Sequence, residues 1–213
     1  TEPRPLVRAG LHWPGIPNPD LDSIRSSWTD ESPVAALVFY RALIQSGNIC
    51  VVEAMVDGLR EAGLNPLPIF VSSLKDPVAA ATLETIISKV PPSIILNATG
   101  FAISAPGQKK VPGPFDLDMA PMVLQIVFSG GNKNSWLKES RGLSPRDIAM
   151  NVALPEVDGR ILTRAVSFKD GRRRDDLTET ELVRYEPVKD RIQYVCRLAA
   201  SWVSLRQTPI SER

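Results

Sequence analysis

The chain has 213 residues, 43% hydrophobic and 23% charged, with 25 basic against 24 acidic side chains and a formal net charge of +1. That length suits one generous domain, or a domain with an arm, which can bury roughly 70% of its unfolded surface without metal or disulfide staples. The balanced charge excludes the basic field that nucleic-acid binding requires, so no nucleic-acid partner is expected.

Residues 1–33 are proline-rich and show little periodicity. They predict an extended arm with a short strand at Val7–Leu11, and an arm this long packs against something. The pattern changes at Val34. VAALVFY (Val34–Tyr40) is a continuous apolar run, as in a strand buried on both faces. RALIQSGN reads as a loop leading to a helix that starts near Asn48, a good N-cap. Val52, Met55, Val56 and Leu59 make that helix's apolar stripe, and Gly63 ends it.

LPIFVSS (Leu67–Ser73) is the next strand. Asp76-Pro77 then supplies an N-cap followed by proline at the first helical position. Leu83, Ile86, Ile87 and Val90 face the core until Pro91-Pro92 stops the helix. SIILNATG (Ser93–Gly100) is a third strand, followed by a Pro/Gly/Lys-rich loop through Pro114. MVLQIVFS (Met122–Ser129) is the fourth strand, and Asn132–Ser140 a short helix. Ser144-Pro145-Arg146-Asp147 opens another helix, with its acid near the positive end. RILTRAVSF (Arg160–Phe168) is the fifth strand. Arg172-Arg173-Arg174, followed by Asp175-Asp176, reads as a solvated loop. The last helix, about Asp190–Arg206, buries Ile192, Val195, Cys196, Ala199 and Val203.

Repeated strand–helix alternation predicts an α/β fold. The sheet is expected to be doubly wound and mostly parallel, in a flavodoxin-like or Rossmann-like three-layer sandwich. Residues 34–209 form the domain, 1–33 its arm and 210–213 a tail. Ligands of such sheets gather at the carboxyl ends of the strands, which here are rich in Ser, Asn and Gly. Cys50 and Cys196 sit apart among apolar helical residues, where a free thiol acts as a small hydrophobe in a reducing compartment. No apolar run approaches the ~20 residues of a membrane span, and the opening segment does not read as a signal peptide. A cytoplasmic location follows as an expectation.

Gln45-Ser46-Gly47-Asn48 and SGGNKNS (Ser129–Ser135) offer backbone N–H groups at helix starts, where an anion could sit. Neither matches GxGxxG or GxxxxGK(S/T), so both also read as ordinary turn chemistry. His12 is the only histidine. It could lend one metal ligand or shuttle a proton, although a packed or surface role is the simpler one. Without a GxSxG elbow, hydrolase chemistry is disfavoured. Glu156 and Asp158 occupy a Pro/Gly turn between an apolar helix and a strand. They could take protons or hold a hydrated divalent cation. On spacing alone the turn reading leads.

One resemblance changes that balance. Val34–Arg41, Ser46–Asn48, LPIFVSSLKDP at Leu67–Pro77 and NATGFA at Asn97–Ala102 are similar to the large subunit of cobaltochelatase, the CobN type, and to its relative, the magnesium chelatase large subunit. VLQIVFSGG at Val123–Gly131, the long run GLSPRDIAMNVALPEVDGRI within Trp136–Ile161, and the tail Ala199–Pro209 continue the likeness. It implies insertion of Co2+ into hydrogenobyrinic acid a,c-diamide during cobalamin synthesis, with AAA+ ATPase subunits hydrolysing ATP. The chain resembles one internal domain of a much longer subunit, so the remaining domains of that subunit are implied partners.

The resemblance makes Glu156 the leading base or metal-relay carboxylate, with Asp158 assisting or shaping the turn. His12, Ser46, Asn48, Asn97 and Ser129 become candidates for contacts to the tetrapyrrole. It implies that such a fragment is inactive by itself. The alternatives are a non-catalytic scaffold domain of the same complex, the large subunit of magnesium chelatase acting on protoporphyrin IX, or an unrelated flavodoxin-like binding module.

Overall fold

The computed structural model describes residues 7–104, 113–116, 121–138, 140, 142–174 and 181–212; for 170–174, 181–183 and 212 it describes the backbone alone. Strands β1 (Ala9–Leu11), β2 (Val34–Tyr40), β3 (Asn65–Val71), β4 (Ile94–Asn97), β5 (Met122–Ser129), β6 (Ile161–Arg174) and β7 (Glu181–Pro187) form one sheet. Its order is β1-β3-β2-β4-β5-β6-β7. The five inner strands are mutually parallel, and β1 and β7 run antiparallel at the edges. The β5–β6 ladder shifts register around Val127, which bends the sheet locally.

Alternating side chains sort the core into two layers. Ala35, Leu37 and Phe39 of β2 pack with helices α3 (Cys50–Glu61) and α8 (Lys189–Gln207). Ala36 and Val38 point the other way, toward helix α4 (Pro77–Lys89). The sheet is thus buried on both faces, which explains why β2 reads as an unbroken apolar run. The capped start of α4 forms as its sequence dictates: the Asp76 carboxylate accepts from the N–H groups of Val78 and Ala79, and Pro77 follows it directly. The buried stripe of α8 consists of the five residues that its periodicity names.

Several expectations need correction. The short strand expected in the arm forms as β1 and joins the sheet, but the arm is not otherwise extended: it also contains helix α1 (Leu21–Arg25), closed by a reciprocal Asp20–Ser23 capping box. Trp28 then anchors the arm by donating Nε1–H to the Pro66 carbonyl at 3.0 Å. The expected loop after β2 holds the single-turn helix α2 (Ala42–Gln45). Helix α3 starts at Cys50 rather than Asn48, because the Asn48 amide donates to Ser46 Oγ instead of capping. Cys50 is therefore exposed, while Cys196 is buried as expected. Arg172–Arg174 belong to β6, which runs past Phe168 and pairs with a strand, β7, that the charged sequence there conceals.

Between β5 and β6 lie helix α5 (Lys133–Lys138) and a continuous helical run. That run comprises α6 (Pro145–Ile148), a π-helical segment (Ala149–Ala153) and α7 (Leu154–Val157). In the π register a carbonyl accepts from the N–H five residues on, and Leu154 N–H indeed bonds the Ala149 carbonyl. The partner that register would assign to Met150 is residue 155, a proline with no N–H to give. The Met150 carbonyl accepts instead from Phe101 N–H at 2.8 Å.

Candidate functional site

The carboxyl ends of β2, β4 and β5, with the helical run before β6 and with Lys169 of β6 and Tyr185 of β7, enclose a cleft of ≈ 660 Å³, within the range of about 300–1,000 Å³ usual for small-ligand sites. Its position agrees with the general rule for parallel sheets. Four aromatic rings border it, from Tyr40, Phe101, Phe128 and Tyr185, together with the cations of Arg146 and Lys169. The Lys169 ammonium lies 5.3 Å from the Tyr185 ring centroid. Among the described residues, the Arg146 guanidinium makes no hydrogen bond or ion pair.

A buried carboxylate builds one wall. Asp147 accepts from Ser129 Oγ at 2.7 Å, Gly130 N–H at 3.1 Å, Ser144 Oγ at 3.1 Å and Asn151 Nδ2 at 3.2 Å. Four donors on one carboxylate make it a strut joining the end of β5 to the helical run. Tyr185, near Asp147, has its phenol pushed up by burial, with the Asp147 charge reinforcing and Arg146 opposing. Burial also raises Tyr40, against the pull of Arg160 and its own hydrogen bond to the Gly100 carbonyl.

Beneath the cleft lies a second polar network. Asn97 is fully buried: its Nδ2 donates to the Thr99 carbonyl at 3.0 Å and to Gln125 Oε1 at 2.8 Å, and its Oδ1 accepts from Thr99 Oγ1 at 2.9 Å. Arg160 closes this network, with Nη1 3.4 Å from both the Thr99 carbonyl and Gln125 Oε1. Its Nη2 donates to Asp158 Oδ2 at 2.9 Å, and the same carboxylate takes the N–H groups of Ile103 at 2.7 Å and Ser104 at 3.0 Å. Burial pulls the Arg160 guanidinium down from its ordinary value, and Asp158 counters that shift.

The sequence-named residues are placed unevenly. Ser46 and Asn48 border the cleft. Ser129 sits just behind it and lines a smaller adjoining cavity of ≈ 200 Å³ that shares Gly131 and Ser144 with the cleft. Trp136 borders the same small cavity, with its ring 4.9 Å from that of Phe168 and the Arg191 guanidinium 4.8 Å from its centroid. Asn97 and Asp158 belong to the buried network below. Glu156 is exposed on α7, outside the residues lining the cleft, and its carboxylate has no partner among the described residues. It lies five residues beyond Asn151 on one helical run, ~8 Å along the axis.

His12 is remote from the cleft. It packs edge-on to Phe39 at 6.1 Å, and its burial lowers its pKa. Asp147, Arg160 and Phe101 are the residues that sequence reasoning missed. The first reads as a helix-start acid and the second as a strand residue, and only tertiary contacts reveal either role. Among the described residues no group of three or more His, Cys, Asp or Glu side chains could hold a metal, and no helix is long and apolar enough to cross a membrane.

The comparisons agree with one another. The family model CobN/Magnesium Chelatase matches residues 1–213. The chain is 43% identical, over 99% of its length, to an aerobic cobaltochelatase subunit CobN from Sinorhizobium, and covers 17% of that protein. A protein of the same description from Pseudomonas aeruginosa is 39% identical over 100% of the chain, which again covers 17% of it. The chloroplastic magnesium-chelatase subunit ChlH of indica rice is 26% identical over 97% of the chain, which covers 14% of that protein. Among solved structures, the catalytic subunit of cobaltochelatase from Mycobacterium tuberculosis superposes with a TM-score of 0.74 at 27% identity. That match covers 100% of this chain and 17% of the other. The chain thus spans about a sixth of the length of these two cobaltochelatase relatives.

Proposed function

Because the chain belongs to the CobN/magnesium chelatase family, we propose that it is one domain of the tetrapyrrole-binding large subunit of a cobaltochelatase. The reaction is insertion of Co2+, the substrate metal, into hydrogenobyrinic acid a,c-diamide, a nitrogen–metal ligation within cobalamin biosynthesis. What carries the reading is the greater identity to the aerobic cobaltochelatase subunits than to the magnesium-chelatase subunit. In this reading ATP is hydrolysed by separate AAA+ subunits of a multi-subunit, cytoplasmic complex, in keeping with a chain that itself carries no GxxxxGK(S/T) motif. The order of the five parallel strands, with helices on both faces, supports a flavodoxin-like sandwich extended by an antiparallel strand at each edge. The arm, residues 1–33, and the domain, 34–209, then act as one unit, because β1 joins the sheet.

Metal insertion requires a base for the pyrrole protons and weak ligands that release the metal. The cleft supplies aromatic walls and two cations for a flat, acid-bearing macrocycle, with Ser46 and Asn48 as hydrogen-bonding groups at its rim. Glu156 is the base or metal-relay carboxylate: an exposed, unpartnered acid can exchange protons and a hydrated cation without first breaking an internal bond. Asp158 shapes the turn that presents it, being committed to Arg160 and two backbone amides. Asn97 and Ser129 act from behind the cleft by fixing its walls, whereas His12 packs the arm onto Phe39 and does not meet the macrocycle.

The test uses the full-length subunit with its ATPase partners. In Glu156→Gln, tetrapyrrole binding followed by absorbance should persist, while ATP-dependent cobalt insertion falls at least ~100-fold, as expected for loss of a positioned base. Unchanged insertion would remove Glu156 from the mechanism. Equal loss of binding, insertion and thermal stability would favour the scaffold reading.

A further inference from the structure

The loop after β4 is held more firmly than a surface loop needs to be. Tyr40 Oη–H donates to the Gly100 carbonyl at 3.0 Å, and Phe101 N–H to the Met150 carbonyl at 2.8 Å. Ile103 and Ser104 are tied by their N–H groups to Asp158, and Thr99 lies in the buried Asn97–Gln125 network. Gly100 fits closely under the π-helical segment: a Cβ there would stand 2.9 Å from both the Met150 carbonyl oxygen and Asn151 Oδ1. All this restraint converges on Phe101, which has φ +65°, a left-handed conformation that a bulky side chain rarely adopts.

What the restraint achieves is the presentation of an apolar ring to water. Phe101 is 47% exposed and lines the cleft instead of joining the core. Strained backbone together with an exposed aromatic ring is costly on both counts, a combination found where strain serves a site. Lys169 on β6 lies two strands from β4, about 10 Å across the sheet, and Tyr185 on β7 one strand further. That span is wider than one six-membered ring. Arg146 is the cation of the cleft without an internal partner among the described residues.

We propose that Phe101 is the stacking platform of the cleft: one face of a flat conjugated macrocycle lies on its ring, and Arg146 and Lys169 receive the macrocycle's peripheral carboxylate or amide groups. This deepens the tetrapyrrole reading above and rests on it. It turns peripheral carboxylates of the ligand toward β6 and the start of α6. Offset stacking is worth enough for the ring's loss to be measurable, and a carboxylate on an unpaired guanidinium gives binding that salt weakens.

The experiment compares full-length subunits carrying Phe101→Gly, Phe101→Trp and Arg146→Gln, titrated with hydrogenobyrinic acid a,c-diamide by absorbance, with thermal melting in parallel. Glycine relieves the left-handed strain while adding unfolded-state freedom, so Phe101→Gly should melt close to wild type. Its Kd should nevertheless rise roughly 3- to 10-fold. Phe101→Trp should restore binding, and Arg146→Gln should weaken it and flatten its salt dependence. Wild-type affinity in Phe101→Gly would overturn the platform while leaving the tetrapyrrole reading intact. Failure of the wild-type subunit to bind the tetrapyrrole would overturn both.

Discussion

The guanidinium of Arg160 lies 2.9 Å from the carboxylate of Asp158, with the two side chains only 2% and 8% exposed. Through Asp158 this pair also grips the backbone at Ile103 and Ser104, so it welds the loop after β4 to the turn before β6. Removing one partner strands a buried charge. Asp158→Ala should therefore cost about 3–5 kcal/mol in urea unfolding. The double replacement Asp158→Leu with Arg160→Met should recover much of that loss, and a double change as damaging as the single one would show that the pair's worth lies in its backbone contacts.

Pro155 has an effect at a distance. By lacking an N–H it leaves the Met150 carbonyl free for Phe101. Pro155→Ala restores a donor and favours the tighter α register, in competition with that contact. Hydrogen exchange at the Phe101 amide should accelerate roughly 5-fold, in keeping with a hydrogen bond worth about 1 kcal/mol. Tetrapyrrole affinity should fall by less than in Phe101→Gly, because the ring is retained.

His12 gives a pH dependence whose sign follows from its burial. Desolvation lowers its folded pKa below the ordinary 6.5, so the unfolded chain binds the proton more readily. The stabilisation is complete above about pH 6.5 and declines as pH falls toward the folded pKa. Urea midpoints compared at pH 7.5 and pH 5.5 should show a decline on acidification that is smaller in His12→Gln. Equal declines in both proteins would mean that His12 does not carry it.

The two thiols should behave differently. Burial pushes the Cys196 thiol up to about 12, with Glu61 adding to the shift, whereas Cys50 is exposed at the start of α3. At pH 8 a thiol reagent should modify Cys50 in the native protein and reach Cys196 only on unfolding. Modification of both at one rate in the folded protein would contradict the core assignment of α8.

Features that depend on local periodicity were legible in the sequence. The apolar run of β2, the Asp76-Pro77 start of α4 and the five-residue stripe of α8 each declare themselves within a dozen residues. What escaped depends on partners far along the chain. β7 carries three charged residues among its seven, and it becomes a strand only because β6 runs on past Phe168 to meet it. The π-helical segment looks like ordinary helix until the missing N–H of Pro155 is set against a carbonyl five residues back. In the site, Ser46 and Asn48 reach the cleft because the carboxyl edge of a parallel sheet can be inferred from strand order. Asn97 occupies that edge in sequence, yet its amide is consumed by Thr99 and Gln125, contacts that no spacing rule announces.

Trp136 gives the protein a built-in optical gauge. Its indole is set between Phe168 and the Arg191 guanidinium, beside a small cavity that opens onto the same Gly131 and Ser144 as the cleft. A conjugated pigment lodged next door would drain the emission of that indole by energy transfer. The arrival and departure of a coloured ligand would then register as darkening and recovery of the protein's own ultraviolet glow, with no dye attached.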